Sequence, residues 1–358
     1  MALRRPVLVS AAMGAMLVPV LLAGCASSNS NTPAALTGTG VSSAPVRGLE
    51  TADVTVYALP TTDSSGLYVA QYLGYFAKQG LTVTIKPITN QEADINQVAL
   101  GKTDIIGANY VSLIEAQETY DDGLPTTDIS DPTYQDVSAD LDLFAEGSSL
   151  TPDFQGLFVP ADSSVKTLSE LKGKTIAINQ AGGEGYVMVA SALQADGIQP
   201  TEVRWESLPY SSMASALISG KVSAAYLPEP FNSIDEEKYG LTSLSDLDVG
   251  LTVDFPVEGY ATTKVWARAH PNTLTAFYRA LEEGQEVADT NRQVAEKATA
   301  EFVPGITSKV GSLIALETYL VGPVDEARVQ RVSDDMQLLR LSSTSMIWNI
   351  SQLIGDNS

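Results

Sequence analysis

Residues 53–80 read DVTVYALPTTDSSGLYVAQYLGYFAKQG, and residues 175–197 read TIAINQAGGEGYVMVASALQADG. Each stretch runs from an apolar strand through a loop of small and polar residues into an amphipathic helix that stops at glycine. In the first, 53–59 is the strand and 60–66 the loop; Val69, Tyr72, Leu73 and Phe76 then recur at the spacing of one buried helical face before Gly80. In the second, 175–179 is the strand, 180–185 the loop, and Val189, Ala192 and Leu193 form the face before Gly197. The continuation matches too. Strand 81–88, a helix over 94–100, Gly101-Lys102 and strand 104–108 correspond to strand 202–208, helix 211–219, Gly220-Lys221 and strand 223–227.

Alternating strands and helices with short links imply parallel neighbours, because parallel strands need a helical crossover. The doubling therefore predicts an α/β protein of two lobes, each a mainly parallel sheet flanked by helices. Segments 154–160 and 256–262 are extended, contain aromatics and flank the second unit, so they are predicted to be the two hinge crossings. Expected divisions are 51–158 for the first part of lobe one, 159–257 for lobe two and 258–358 for the return. The return is helical: Leu274, Phe277, Tyr278 and Leu281 after Pro271, and Val329, Val332, Met336 and Leu339, make apolar stripes for extra C-terminal helices on lobe one.

Composition removes several chemistries. The 358 residues hold 21 Lys and Arg against 43 Asp and Glu, one cysteine and one histidine. A Ser/His/Asp triad has only His270 to use, and neither a two-histidine zinc motif, a cysteine-rich metal site nor an internal disulfide can be built. No metal or cofactor is expected. A formal charge of -22, with no basic run beyond Arg4-Arg5, argues against nucleic acid. The acidic connection carrying Asp121, Asp122, Asp128, Asp131, Asp136, Asp140 and Asp142 lacks the spacing and glycine of a calcium loop and reads as a solvated face.

Residues 1–25 read MALRRPVLVSAAMGAMLVPVLLAGC: a charged start, a short apolar core interrupted by Pro19, then small residues. That is the pattern of an export signal rather than of a spanning helix. Leu22-Ala23-Gly24-Cys25 resembles a bacterial lipobox. The resemblance implies removal of residues 1–24, a lipid on Cys25 and an extracytoplasmic body whose only hold on the membrane is that lipid. Residues 25–50, rich in Ser, Thr, Asn, Gly and Pro, are expected to be a flexible tether.

Several short motifs recur in order through the body. They are Gly66-Leu67-Tyr68-Val69-Ala70, Gly74-Tyr75-Phe76 with Gly80-Leu81, Leu100-Gly101-Lys102-Thr103-Asp104, Leu168-Ser169-Glu170-Leu171-Lys172-Gly173-Lys174, Ala216-Leu217 with Ser219-Gly220-Lys221, and Glu229-Pro230. Together they resemble the solute-binding lipoproteins of ABC importers, in the branch handling nitrate, sulfonates, taurine and thiamine-pyrimidine precursors. The resemblance implies a two-lobe periplasmic-binding-protein-like fold of type II and a monomer that captures a small molecule without chemistry. It also implies an ABC permease and its ATPase as partners. Two positions depart from the pattern: Ser223 stands where aspartate is usual, and Gly182-Gly183-Glu184-Gly185 occupies a loop where anion-binding members often place a small hydroxyl residue.

In such sheets ligands sit beyond the carboxyl ends of strands, at the loops leading into helix N-termini. The loops predicted to line the cleft are 61–68, 88–92, 109–112, 179–186, 209–213 and 228–232. They hold the carboxylates Asp63, Glu92, Glu184 and Glu229 and no Lys or Arg. Candidate ligand residues are Asp63, Ser64, Ser65, Tyr68, Asn109, Tyr110, Gln180, Gly183, Glu184, Tyr186, Tyr210, Glu229 and Phe231. Plainer roles compete: Glu184 and Glu229 suit helix starts, Asn109 suits a cap, Tyr186 and Tyr210 suit a core, and His270 suits a cap or the surface. The charge imbalance favours a neutral or cationic nitrogen-containing ligand, such as a thiamine-pyrimidine precursor, over nitrate, a sulfonate or taurine. A lipid-anchored enzyme using paired carboxylates is the competing class.

Overall fold

A computed structural model describes residues 44–121, 140–339, 341 and 350–354. Strand β1 (Asp53–Ala58) buries Val54, Val56 and Ala58 along one face. Helix α1 (Ser65–Tyr72) follows but does not run on to Gly80. Gly74 takes a φ of 73° and a separate short helix, α2 (Tyr75–Lys78), starts after it. A left-handed residue ends one helix and re-aims the next, which an apolar stripe alone does not reveal. Next come β2 (Thr82–Pro87), α3 (Gln91–Ala99), β3 (Ile105–Asn109), α4 (Tyr110–Asp121) and β4 (Leu141–Ser149).

The second unit comprises β5 (Gln155–Pro160), β6 (Thr175–Ile178), α5 (Glu184–Ala195), β7 (Arg204–Ser207), α6 (Tyr210–Ile218), β8 (Ala224–Pro228), α7 (Phe231–Tyr239) and β9 (Leu241–Asp246). Strand β10 (Pro256–Thr263) returns, followed by α8 (Lys264–Ala269), α9 (Pro271–Thr290), α10 (Arg292–Phe302), α11 (Ser308–Gly311), β11 (Thr318–Tyr319) and α12 (Glu326–Leu338). One sheet has the order β11-β4-β10-β3-β1-β2 and the other β7-β6-β8-β5-β9, giving a two-lobe α/β architecture.

The sheets are mixed rather than mainly parallel. Each has a parallel core, β2-β1-β3 or β7-β6-β8, extended by antiparallel strands. The added strands β5 and β10 arrive from the other lobe by extended links, so no helical crossover constrains their direction. Segments 154–160 and 256–262 are thus strands inside the sheets, not the crossings themselves. β10 is buried along its whole length, and burial on both faces demands ladder partners for its backbone. The links between sheets are residues 150–154 and 247–255. They are tied to each other, since the Leu150 N–H donates to Phe255 O at 2.8 Å and the Ser149 hydroxyl to Asp254 Oδ1 at 2.6 Å. Each link carries one non-glycine residue with positive φ, Asp153 at 68° and Asp254 at 52°. Aspartate tolerates this region better than most residues because its short side chain can bond locally.

Other expectations shift at the edges. Residues 44–50 are packed on lobe one: the Val46 N–H reaches Gln79 Oε1 at 3.1 Å, and Glu50 Oε2 accepts the Thr273 N–H at 2.9 Å. Residues 44–50, assigned to the expected tether, thus belong to the packed lobe, because Val46 and Leu49 find apolar partners; residues 25–43 lie outside the described residues. The signal segment 1–24 and Cys25 lie outside the described residues, as do Asp122, Asp128, Asp131 and Asp136. Asp142, assigned to the solvated face, is buried in β4. Among the described residues no helix is long and apolar enough to cross a membrane. His270 sits between α8 and α9 with its ring against Trp266.

Lobe one is closed by α9, which buries Leu274, Phe277 and Leu281 of the predicted stripe, and Ala280 in addition, while Tyr278 is only half-buried; Phe277 stacks 4.9 Å from Phe76. α12 buries Val329, Val332 and Met336 against α4 and β10. Helices α1 and α9 meet through small residues. A Cβ on Gly284 would fall against Gly66 O, 2.6 Å from Ala70 Cβ and 2.8 Å from Ala70 N. Backbone cannot yield there, so Gly284→Ala is expected to cost about 1–3 kcal/mol. A calorimetric melt of the variant checks this, and an unchanged Tm would show that the two helices pack with slack.

Candidate functional site

The loops leaving β1 and β6 meet between the sheets. After β1 the chain turns through a 3-10 segment, Thr62–Ser64, into α1; after β6 it passes Gly182 at a φ of 77° and enters α5 at Glu184. Gly185 is glycine for a local reason. A Cβ there would lie 2.5 Å from the Tyr226 ring and 2.8 Å from Asn179 Oδ1. The close approach lets Tyr226 stand beside the Glu184 carboxyl. A carboxylate in the first turn is also favoured by the helix N-terminus.

Four carboxyls converge: Asp63, Glu258 and Glu317 from lobe one and Glu184 from lobe two. All are buried, Glu258 at 0% and the others at 4% exposure. Burial, and next the Asp63 charge, raise Glu184 above the usual carboxyl range; the same two causes, in that order, push Glu258 up to about 8 and Glu317 well above its ordinary value. Burial also raises Asp63, opposed by the Thr61 hydroxyl and the Glu317 carboxyl. None of the ion pairs among the described residues involves any of the four.

Their surroundings differ. Glu258 is fully engaged, taking a hydrogen bond from the Ser64 hydroxyl on one oxygen and from Tyr260 OH at 2.9 Å on the other. Glu184 Oε1 accepts from Gln155 Nε2 at 3.0 Å. Both oxygens of Glu317 lack a hydrogen-bond partner; Ser148 is near enough to lower its pKa but does not complete a bond of good geometry. Tyr319, two residues on, locks the arrangement by donating to Thr62 O at 2.9 Å.

Glu229 ties the lobes together. Its backbone O accepts the Thr62 N–H at 3.4 Å, and its Oε1 accepts Ala315 N–H at 3.0 Å and Ser233 Oγ at 2.8 Å. Burial raises its pKa to about 7 against those hydrogen bonds. Its Oε2 is unpartnered, and Glu229 lines a cavity of about 160 Å³ with Gln155, Asn232 and Glu236. A larger cavity of about 310 Å³ is lined by Glu92, Ser112, Glu115, Glu118 and, across the cleft, Gln180.

Of the residues singled out in sequence, Asp63 and Glu184 meet at the centre and Glu229 lies at the seam. Ser64 and Ser65 face lobe one, Ser65 sharing a 2.7 Å hydrogen bond with Thr299. Tyr68 donates to Leu59 O at 2.5 Å and stacks 5.0 Å from Phe302. Asn109 caps α4 through Ser112 N–H at 2.8 Å, and Tyr110 is buried with its hydroxyl near Glu146 and Arg328. Gly183 caps α5. Tyr186 packs on Trp205 at 4.7 Å, away from the carboxyls, whereas Tyr210 lies between Tyr226 and Phe231 beside Glu184. Sequence reasoning missed Glu258, Glu317, Gln155, Ser148 and Tyr226; an acid inside the apolar run 255–261 was the one available signal. Among the described residues no group of three or more His, Cys, Asp or Glu is placed to hold a metal ion.

Residues 47–303 match the profile of the NMT1-like family. A nitrate/nitrite binding protein of Nostoc sp. is 26% identical over 291 residues, which is 75% of this chain and 63% of that protein. A 4-amino-5-hydroxymethyl-2-methylpyrimidine phosphate synthase of Saccharomyces cerevisiae is 26% identical over 186 residues, 50% of this chain and 46% of that protein. The chain thus spans roughly half to under two thirds of the length of these curated relatives. Among solved structures, the alkanesulfonate-binding protein SsuA of Xanthomonas axonopodis pv. citri, bound to MOPS, superposes with a TM-score of 0.67 at 16% identity, covering 86% of this chain and 99% of that one. That likeness is one of fold.

Carboxyls whose folded-state pKa is raised favour the folded protein while protonated, and that contribution is lost as pH climbs through the raised value. The ligand-free protein is therefore expected to lose stability between the ordinary carboxyl value of about 4.3 and the value near 8 reached by Glu258. Glu184→Gln keeps the acceptor for Gln155 and removes one titrating group, so its Tm should fall less over that interval. Melts at pH 5, 6, 7 and 8 test this; parallel curves for the two proteins would refute it.

Proposed function

The chain belongs to the NMT1-like family, and on that premise we propose that it is the extracytoplasmic substrate-binding component of an ABC importer. It closes two lobes about a small molecule and hands it on unaltered. The observation supporting this reading is the meeting of Asp63 from one lobe with Glu184 from the other in a buried polar space. Such a space forms only when the lobes are together, so a ligand bridging it binds the closed form better than the open one, and that difference drives closure. Residues 150–154 and 247–255 would be the hinge. A permease and its ATPase are the proposed partners. Lipid attachment at Cys25 rests on the lipobox resemblance of residues 22–25.

Two ligand classes compete. The relatives, among them a nitrate/nitrite binding protein and an alkanesulfonate-binding protein, support a small oxyanion better. Helix N-termini at Ser65, Tyr110 and Glu184 can receive one without a basic side chain. The charges of this site support a nitrogen-containing cation or neutral hydrogen-bond donor. Four carboxyls without an ion-pair partner raise the energy of an anion and lower that of a donor.

Native mass spectrometry of the protein purified without added ligand is expected to show one small compound, unmodified, per chain. Recovery of a chemically converted compound would favour the competing enzyme class. Titration with Glu184→Gln then separates the two ligand readings. A cationic ligand should bind about tenfold or more weakly, the scale of a lost charged hydrogen bond, and an oxyanion more tightly; unchanged affinity for both would remove Glu184 from the site.

A further inference from the structure

Glu317 stands outside every loop the sequence assigns to the cleft, yet it reaches the centre of the site. The short strand β11, paired to Ser148 and Ser149 of β4, sets it there. The Tyr319 hydroxyl, donating to Thr62 O at 2.9 Å, holds this end of β11 against the turn that carries Asp63, and burial and then the Asp63 charge raise the pKa of the Glu317 carboxyl. Two buried carboxylates side by side repel, which favours a proton on one of them in the ligand-free protein. Two hydroxyls border the pair, Thr61 beside Asp63 and Ser148 beside Glu317, and a third, Tyr226, stands beside the neighbouring Glu184. All three are at least nine-tenths buried, and none completes a hydrogen bond in this structure. Both Glu317 oxygens are acceptors without a donor, and each of the three hydroxyls has hydrogen bonds still to make. The other titratable groups acting on the pair are Glu184, Glu258 and the phenols of Tyr68, Tyr210, Tyr226 and Tyr319, so no neighbouring cation competes for the position.

We propose that Asp63 and Glu317 form the subsite for a cationic N–H group of the ligand, a protonated amine, amidine or guanidine that replaces the proton the two carboxyls share. The inference deepens the capture reading and rests on it. More than one N–H bond is needed, because both Glu317 oxygens lack a donor and the neighbouring hydroxyl oxygens can accept as well, which a charge without donors would leave unserved. The exchange balances in charge: one cation enters and one proton leaves to solvent.

The test is calorimetric titration of the full chain with putrescine and agmatine as N–H cations, tetramethylammonium as a cation without N–H bonds, and nitrate and methanesulfonate as anions. An N–H cation is expected to bind, tetramethylammonium is not, and Glu317→Gln should weaken binding at least tenfold. Repeating the wild-type titration at pH 7 in buffers of different ionisation heat should reveal net proton release. That measurement decides the matter if the variant does not fold. Failure of both N–H cations to bind, equal binding of tetramethylammonium, or binding without proton release overturns the proposal. Nitrate or methanesulfonate binding in place of the amines would also sink it while leaving capture intact, whereas a chemically altered probe would sink both.

Discussion

Four carboxyls are buried near one another and, among the described residues, no side chain of opposite charge pairs with them. Burying a single ion in a protein interior costs several kcal/mol even after relaxation, and like charges add to the cost. Burial favours protons on the cluster, and the hydrogen bonds that Ser64 and Tyr260 give Glu258 and Gln155 gives Glu184 offset part of the cost. The surrounding architecture positions these groups. Tyr319 pins the turn carrying Asp63, Gly185 makes room for Tyr226, and Glu229 stitches the segment before β11 to lobe two. A cluster so costly and so closely braced is hard to account for as packing alone, since well-packed apolar residues would fill the same volume more stably.

The comparison with SsuA illustrates how loosely fold and ligand are coupled. A TM-score of 0.67 at 16% identity leaves the scaffold recognisable while most side chains differ. The scaffold contributes strand ends, helix starts and two links; the residues on those strand ends decide what is held. In this chain the position opening α5 is occupied by Glu184 after a Gly182-Gly183 turn, and its carboxyl is turned to Gln155 of β5.

Much of the scaffold was legible because strand, loop and helix repeat in register, and the loops after β1 and β6 could be placed from that order alone. Asp63 and Glu184 were found this way. The antiparallel strands were not: β5 and β10 look like connecting segments because they are flanked by the lobe boundary, and their pairing partners lie far away in sequence. Glu258 was hidden with β10. Glu317 was hidden for a different reason, since it precedes a two-residue strand with no periodicity to read. Individual side chains are harder still. Tyr186 and Tyr210 occupy equivalent helix starts, yet Trp205 draws one outward while Tyr226 and Phe231 hold the other inward.

The paired links between the lobes limit how the molecule can open. The links 150–154 and 247–255 are fastened at both ends, by Leu150 N–H to Phe255 O and by Leu247 N–H to Gln155 O, and the second link makes a 3-10 turn, Gly250–Thr252, in between. Fastened in this way, neither link can lengthen or part from the other on its own, so any movement of one lobe against the other has to pass through both at once.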